Sequence, residues 1–118
     1  MAKLSTHVLD TANGCPAEGM KIDFVRAPGA GEVLLKSVVT NSDGRTDELL
    51  LTGEEMVAGE YELRFNVRDY FAAQSGEHSS GPTFLNIVPI RFTITDPAQG
   101  YHVPLVCSPW SFSTYRGS

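Results

Sequence analysis

The chain has 118 residues, 42% of them hydrophobic and 19% charged, a length and balance that support one domain around one core and exclude a disordered polymer. With 9 basic and 14 acidic residues the net charge is −5, which argues against nucleic acid or an anionic membrane as partner, since both demand a basic face. No apolar run reaches the roughly 18 residues of a membrane span, and "MAKLSTHVLD" turns polar too soon for a signal-peptide core, so the chain as given is expected to be cytoplasmic, any leader having been removed already.

Apolar residues recur with a period of two, and turn residues punctuate them about every eight to twelve positions, the pattern of an all-β sandwich or barrel. The first strand is predicted over Leu4 to Asp10, with Leu4, Thr6 and Val8 on one face and Ser5, His7 and Leu9 on the other. The turn "NGCP", with Cys15 beside a proline, leads to a strand over Met20 to Ala27. "APGAG" precedes a third over Glu32 to Thr40, and "NSDGR", which carries Arg45, follows it. Shorter or later strands are expected over Glu48 to Leu51, Glu60 to Val67, Ile87 to Thr95, Tyr101 to Ser108 and Phe112 to Tyr115, eight in all. "RDYFAAQ", residues 68–74, predicts a helix of about two turns capped by Asp69. The polar loop "SGEHSSGP", residues 75–82, holds His78, read as solvated. In "YHVPLVC", Tyr101, Val103, Leu105 and Cys107 share one face and His102, Pro104 and Val106 the other.

Polar residues on strands are the informative ones. His7 and His102 each sit among strand formers, where a lone histidine is most often just partly exposed. Metal binding has little behind it: there are 3 histidines, no CxxC, HxH or HExxH spacing, and no metal or other cofactor is expected. The serines lie in no GxSxG elbow, and "GAG" at 29–31 is a turn, not a phosphate loop. Two cysteines are too few for a disulfide framework, so Cys107 reads as core and Cys15 as incidental. The final "STYRGS" follows a strand directly. It is either an ordinary solvated end or a segment tied down for use.

"LSTHVLDTANGCPA" (4–17), "TNSDGRTD" (40–47) and "YHVPLVCSPWSFSTYRGS" (101–118) together resemble the 5-hydroxyisourate hydrolases, also called transthyretin-related proteins. The likeness is dense at both ends and at the "DGR" turn and looser over 53–95, and the closing Tyr-Arg-Gly-Ser is the family's signature. Trp110 and Phe112 stand where the family often has tyrosine, and Cys107 where an aliphatic is common. The resemblance implies a single transthyretin-like β-sandwich of eight strands with one short helix, assembled as a homotetramer, a dimer of dimers, with active sites in the channel between dimers. Carried over by motif, His7, Arg45 and His102 are the implied catalytic residues. The implied substrate-binding set adds Tyr115, Arg116, Gly117 and Ser118, and the chain would end where the site is. The implied reaction is cofactor-free hydrolysis of the N1–C6 amide of 5-hydroxyisourate, a small-molecule substrate. The two histidines would activate water and deliver a proton, in an order the sequence leaves open, while Arg45 and Arg116 hold the heterocycle. A transthyretin-like carrier of small apolar ligands is the alternative, although such a channel has no need of paired histidines and arginines.

Overall fold

The computed structural model describes residues 2–74 and 83–117. Alternation along each strand sorts its side chains between the interior and the outer face. Strand β1 (Lys3–Asp10) buries Leu4, Thr6, Val8 and Asp10 and leaves Ser5, His7 and Leu9 half-buried on its other face. It pairs with three partners: β2 (Cys15–Pro16) and β5 (Leu51–Thr52) antiparallel along one edge, and β8 (Tyr101–Cys107) parallel along the other. β9 (Phe112–Thr114) closes this sheet against β8. The second sheet has the order β4 (Val33–Val39), β3 (Lys21–Arg26), β6 (Gly59–Asn66), β7 (Ile87–Ile94), all antiparallel. Among the described residues one α-helix, α1 (Val67–Ala72), follows β6 without a loop. The architecture is the all-β, transthyretin-like sandwich expected from the sequence.

Between the sheets lie Leu4, Val8, Phe24, Tyr61, Phe65, Leu105 and their neighbours, with the rings of Phe24 and Tyr61 stacked at 5.6 Å. Each such side chain removed from water contributes about 1.5–3 kcal/mol, so these alternating positions hold the strands in register. On the outer face of the second sheet, Arg64 makes a two-point ion pair with Glu32 and also bonds Glu62, which accepts from Arg91 as well. Arg64 holds the Glu32 carboxyl well below the usual carboxylate range, to about 2, its hydrogen bonds favouring the charged form.

The structure differs from the expected elements at several points. Cys15–Pro16, read as turn, forms a two-residue edge strand against Leu9 and Asp10, where a proline's missing N–H costs nothing. The strand expected over Glu48 to Leu51 keeps only Leu51 and runs on to Thr52, where a 3₁₀ turn at Gly53–Glu55 ends it, with Glu55 accepting from the Thr52 N–H. Asp69 does not cap the helix: Val67 is already helical and Asp69 lies in the first turn. Asn66 holds the cap position, but its amide is committed to the Lys21 carbonyl. His78 and the rest of 75–82 lie outside the described residues.

Helix α1 is tied to the first sheet through a buried carboxylate. Asp10, 1% exposed, accepts from the Asn13 N–H (2.9 Å), the Asn13 side-chain amide (2.7 Å) and the Tyr70 hydroxyl (2.7 Å). Burial, followed by the bond to Asp10 and its charge, pushes the Tyr70 phenol well above its ordinary value, so it stays a donor. Cys107, beside Asp10 on β8, is buried as expected, and burial pushes its thiol up to about 12. Tyr70→Phe removes one donor from a buried charge and is expected to cost about 1–3 kcal/mol. An unchanged urea midpoint with an unchanged slope would show that Asp10 does not depend on Tyr70.

Candidate active site

Register brings the two histidines to one surface. In the parallel ladder Ser5 lies opposite His102 and His7 opposite Pro104, so Ser5, His7 and His102 occupy the outer face of the first sheet. Ser5 Oγ is 2.8 Å from His102 Nδ1.

Arg45 reaches the same surface through the turn at 41–45. The Asn41 side-chain carbonyl accepts the N–H groups of Asp43 (2.9 Å) and Arg45 (3.1 Å), and the Asn41 N–H donates to the Arg45 carbonyl (2.8 Å). Gly44, at φ +76°, accepts from the Val8 N–H at 2.8 Å; a Cβ there would run into the Val8 carbonyl oxygen. Only glycine combines that conformation with that approach. The docked turn places Arg45 in a bridge with His7 and sets the Asp43 carbonyl 2.8 Å from His7 Nε2. A carbonyl only accepts, so Nε2 carries the hydrogen and the lone pair of the neutral ring is on Nδ1.

The last described residues close on His102. The Gly117 N–H donates to the His102 carbonyl (2.8 Å), and a Cβ on Gly117 would stand 2.5 Å from Cδ2 and 3.1 Å from Cγ of the imidazole. The ring therefore rests directly on this backbone. His102 titrates below the ordinary histidine value, chiefly because burial disfavours the cation, with further lowering by the charges of Arg45 and His7.

Arg116 is placed otherwise. Its guanidinium stacks 4.2 Å from the centroid of the Tyr101 ring and donates to Gln99 Oε1 (3.0 Å) and the Gly100 carbonyl (3.1 Å). Tyr101 precedes His102 on β8 and turns inward, so within one chain Arg116 stands apart from the histidines. With the exposed Tyr115 it lines a hollow of about 320 Å³ that includes Arg91, Phe92 and Val103, between the β7 and β9 edges. Ser118 lies outside the described residues. Among the described residues no cluster of three or more His, Cys, Asp or Glu has the arrangement to hold a metal ion.

Thus His7, Arg45, His102 and the Gly117 backbone form one neighbourhood. Two of its members were not singled out by sequence reasoning: Ser5 and the Asp43 carbonyl. Ser5 shares a face with His7 by alternation, but its partner is 97 positions away, and a backbone carbonyl leaves no mark in a sequence.

A profile of the HIUase/Transthyretin family matches residues 4–117, and the chain belongs to that family. Among curated relatives, "5-hydroxyisourate hydrolase 2" of Rhizobium meliloti is 51% identical over 116 residues, 98% of this chain and 96% of that protein. The solved structure of (S)-allantoin synthase superposes with a TM-score of 0.87 at 48% identity, over 99% of this chain. This chain spans only 44% of that longer one. Klebsiella pneumoniae 5-hydroxyisourate hydrolase matches over the full length of both chains (TM-score 0.80, 31% identity). Sparus aurata transthyretin matches over 99% of this chain and 97% of its own (0.83, 25%). Among the described residues no helix is long and apolar enough to cross a membrane.

The contact between Gly117 and His102 can be tested directly. Gly117→Ala is expected to displace the His102 ring, shifting its imidazole resonances, while the far-ultraviolet circular dichroism stays that of the parent. Unmoved His102 resonances would mean that the backbone has room for a methyl group.

Proposed function

We infer that this chain hydrolyses 5-hydroxyisourate to 2-oxo-4-hydroxy-4-carboxy-5-ureidoimidazoline, a step of urate breakdown, as its 5-hydroxyisourate hydrolase relatives are named to do. The observation that carries the chemistry is the convergence of His7, Arg45 and His102 on one sheet face. Opening the ring at N1–C6 requires an activated water, a proton for the departing nitrogen and a stabiliser for the charge that develops on the carbonyl oxygen. Water is the one co-substrate.

His7 fits the role of base. Its Nε2–H is committed to the Asp43 carbonyl, which leaves Nδ1 to take the proton from water, and the bond to that carbonyl strengthens as the ring becomes cationic. The backbone of Arg45 pairs with that of His7, its charge is felt by the His102 ring, and its guanidinium is the permanent positive charge offered against the developing oxyanion. Burial, with the charges of Arg45 and His7, disfavours the charged form of His102 and lowers its titration below the ordinary histidine value.

The working unit proposed here is a homotetramer, a dimer of dimers whose channel joins the sites. Support comes from β7 and β9, each at the edge of its sheet and unpaired on its outer side among the described residues, and from the exposure of Phe112 (43%) and Tyr115 (61%) on or beside β9. In that assembly Tyr115, Arg116, Gly117 and Ser118 contribute to substrate binding, Gly117 through its own chain's His102 and the others across chain boundaries.

The primary test generates 5-hydroxyisourate in situ from urate with urate oxidase and follows its ultraviolet decay. The protein is expected to accelerate that decay; no acceleration would favour a transthyretin-like carrier of small apolar ligands. Given turnover, His7→Asn and His102→Asn are each expected to lower kcat/KM by about 10² with the fold retained. Wild-type rates in both variants would remove the histidines from the mechanism. The rate is expected to fall on acidification across the interval of about pH 8 to 5 in which histidines change charge. Within it, His102 takes its proton late, because its folded-state value lies below the ordinary one. A rate flat over that interval would rule out a histidine base.

A further inference from the structure

Ser5 is the polar side chain on the catalytic face to which neither the sequence nor the reaction assigns a role. It is half-buried, sits directly across the ladder from His102, and its hydroxyl makes one hydrogen bond among the described residues, the 2.8 Å contact with His102 Nδ1. On the ring's other side the Gly117 backbone is packed against Cδ2. Nε2 makes no hydrogen bond among the described residues. The imidazole is thus clamped on two sides with one nitrogen left for another molecule.

A hydroxyl can donate to an unprotonated ring nitrogen or accept from a protonated one. Each arrangement leaves one hydrogen without a protein partner: acceptance strands the hydroxyl hydrogen on half-buried Ser5, whereas donation leaves the Nε2–H, on the ring nitrogen that is left for another molecule. We propose that Ser5 is a positioning residue for the reaction inferred above: its hydroxyl donates to Nδ1 and holds neutral His102 as the Nε2–H tautomer, so that His102 offers the substrate a hydrogen-bond donor and not a second base.

The two histidines are then held in complementary states. His7 has its Nε2–H tied to the Asp43 carbonyl and its Nδ1 lone pair free. His102 has its Nδ1 lone pair tied to Ser5 and its Nε2–H free. The proton inventory closes with one shuttle. His7 Nδ1 takes a proton from water as the water oxygen bonds to C6, and the same proton passes to N1 as the C6–N1 bond breaks. His102 donates a hydrogen bond to the C6 oxygen throughout and gives up no proton, which a neutral imidazole yields only with great difficulty. Among the described residues the charged or titratable groups around the His102 ring are His7 on β1, Arg45 on the docked turn, and Lys3 and Tyr101, which line the same shallow hollow as His102.

The proposal is tested on the intact protein labelled with ¹⁵N at histidine, by long-range ¹H–¹⁵N correlation without substrate. Wild-type His102 is expected in the Nε2–H form. The Nδ1–H form would overturn the proposal whatever any variant does. Ser5→Ala is expected to give a mixture of tautomers and to raise the His102 titration midpoint, because a donor to Nδ1 favours the neutral ring; a lowered or unchanged midpoint would mean that Ser5 accepts or is idle. Ser5→Thr, which keeps the hydroxyl, is expected to restore the single tautomer. In the 5-hydroxyisourate assay Ser5→Ala is expected to lose about tenfold in kcat with KM nearly unchanged, the size of one neutral hydrogen bond. Because the tautomer is read without substrate, a failed assay with the Nε2–H form intact counts against the reaction alone. Normal turnover with the wrong tautomer counts against Ser5 alone.

Discussion

The parallel pairing of β1 with β8 is the constraint on which the candidate site depends. Apolar burial fixes it: Leu4 and Val8 on one strand and Val103 and Leu105 on the other face the same core and pair within the same ladder. A slip of β8 by one residue would turn Val103 and Leu105 outward and carry His102 into the core. The polar residues of the outer face are thus placed by the hydrophobic residues of the inner one, and the 2.8 Å bond between Ser5 and His102 exists because Leu4 and Tyr101 are held opposite each other beneath it.

Two glycines complete the site by what they lack. Gly44 lets the turn that carries Arg45 press against β1, and Gly117 lets the end of the chain lie against the imidazole of His102. Both are contacts of backbone with strand, and in both a methyl group would occupy space already filled. The electrostatic outcome is a half-buried His102 whose charged form is disfavoured beside the fixed charge of Arg45. An unpaired cation in that position would meet the cost of burial and the repulsion of the guanidinium together.

The fold itself does not choose between catalysis and carriage. Sparus aurata transthyretin and Klebsiella pneumoniae 5-hydroxyisourate hydrolase both superpose on this chain over nearly its whole length, and one sandwich thus serves proteins with different titles. On the outer face of its first sheet this chain carries two histidines and a serine, with an arginine on the turn docked against it, groups that move protons and stabilise charge and have little to offer a purely apolar guest.

The sequence alone determined the class of fold, because a period of two with regular turns describes half-buried strands and little else. It also pointed to side chains that could carry chemistry, since His7, Arg45 and His102 stand in motifs that resemble those of the 5-hydroxyisourate hydrolases. It misplaced elements at ends, where Asn66 was diverted to Lys21 and Asp69 fell inside the helix it was expected to cap. Arg116 was grouped with the histidines by its place in a motif, and within one chain the tertiary structure sets its guanidinium on Tyr101, where a cation meets an aromatic face. Ser5 and the Asp43 carbonyl had no signal at all. Their roles come from register and from a docked turn, and register is a property of two strands packed on a common core, not of either strand's residues taken alone.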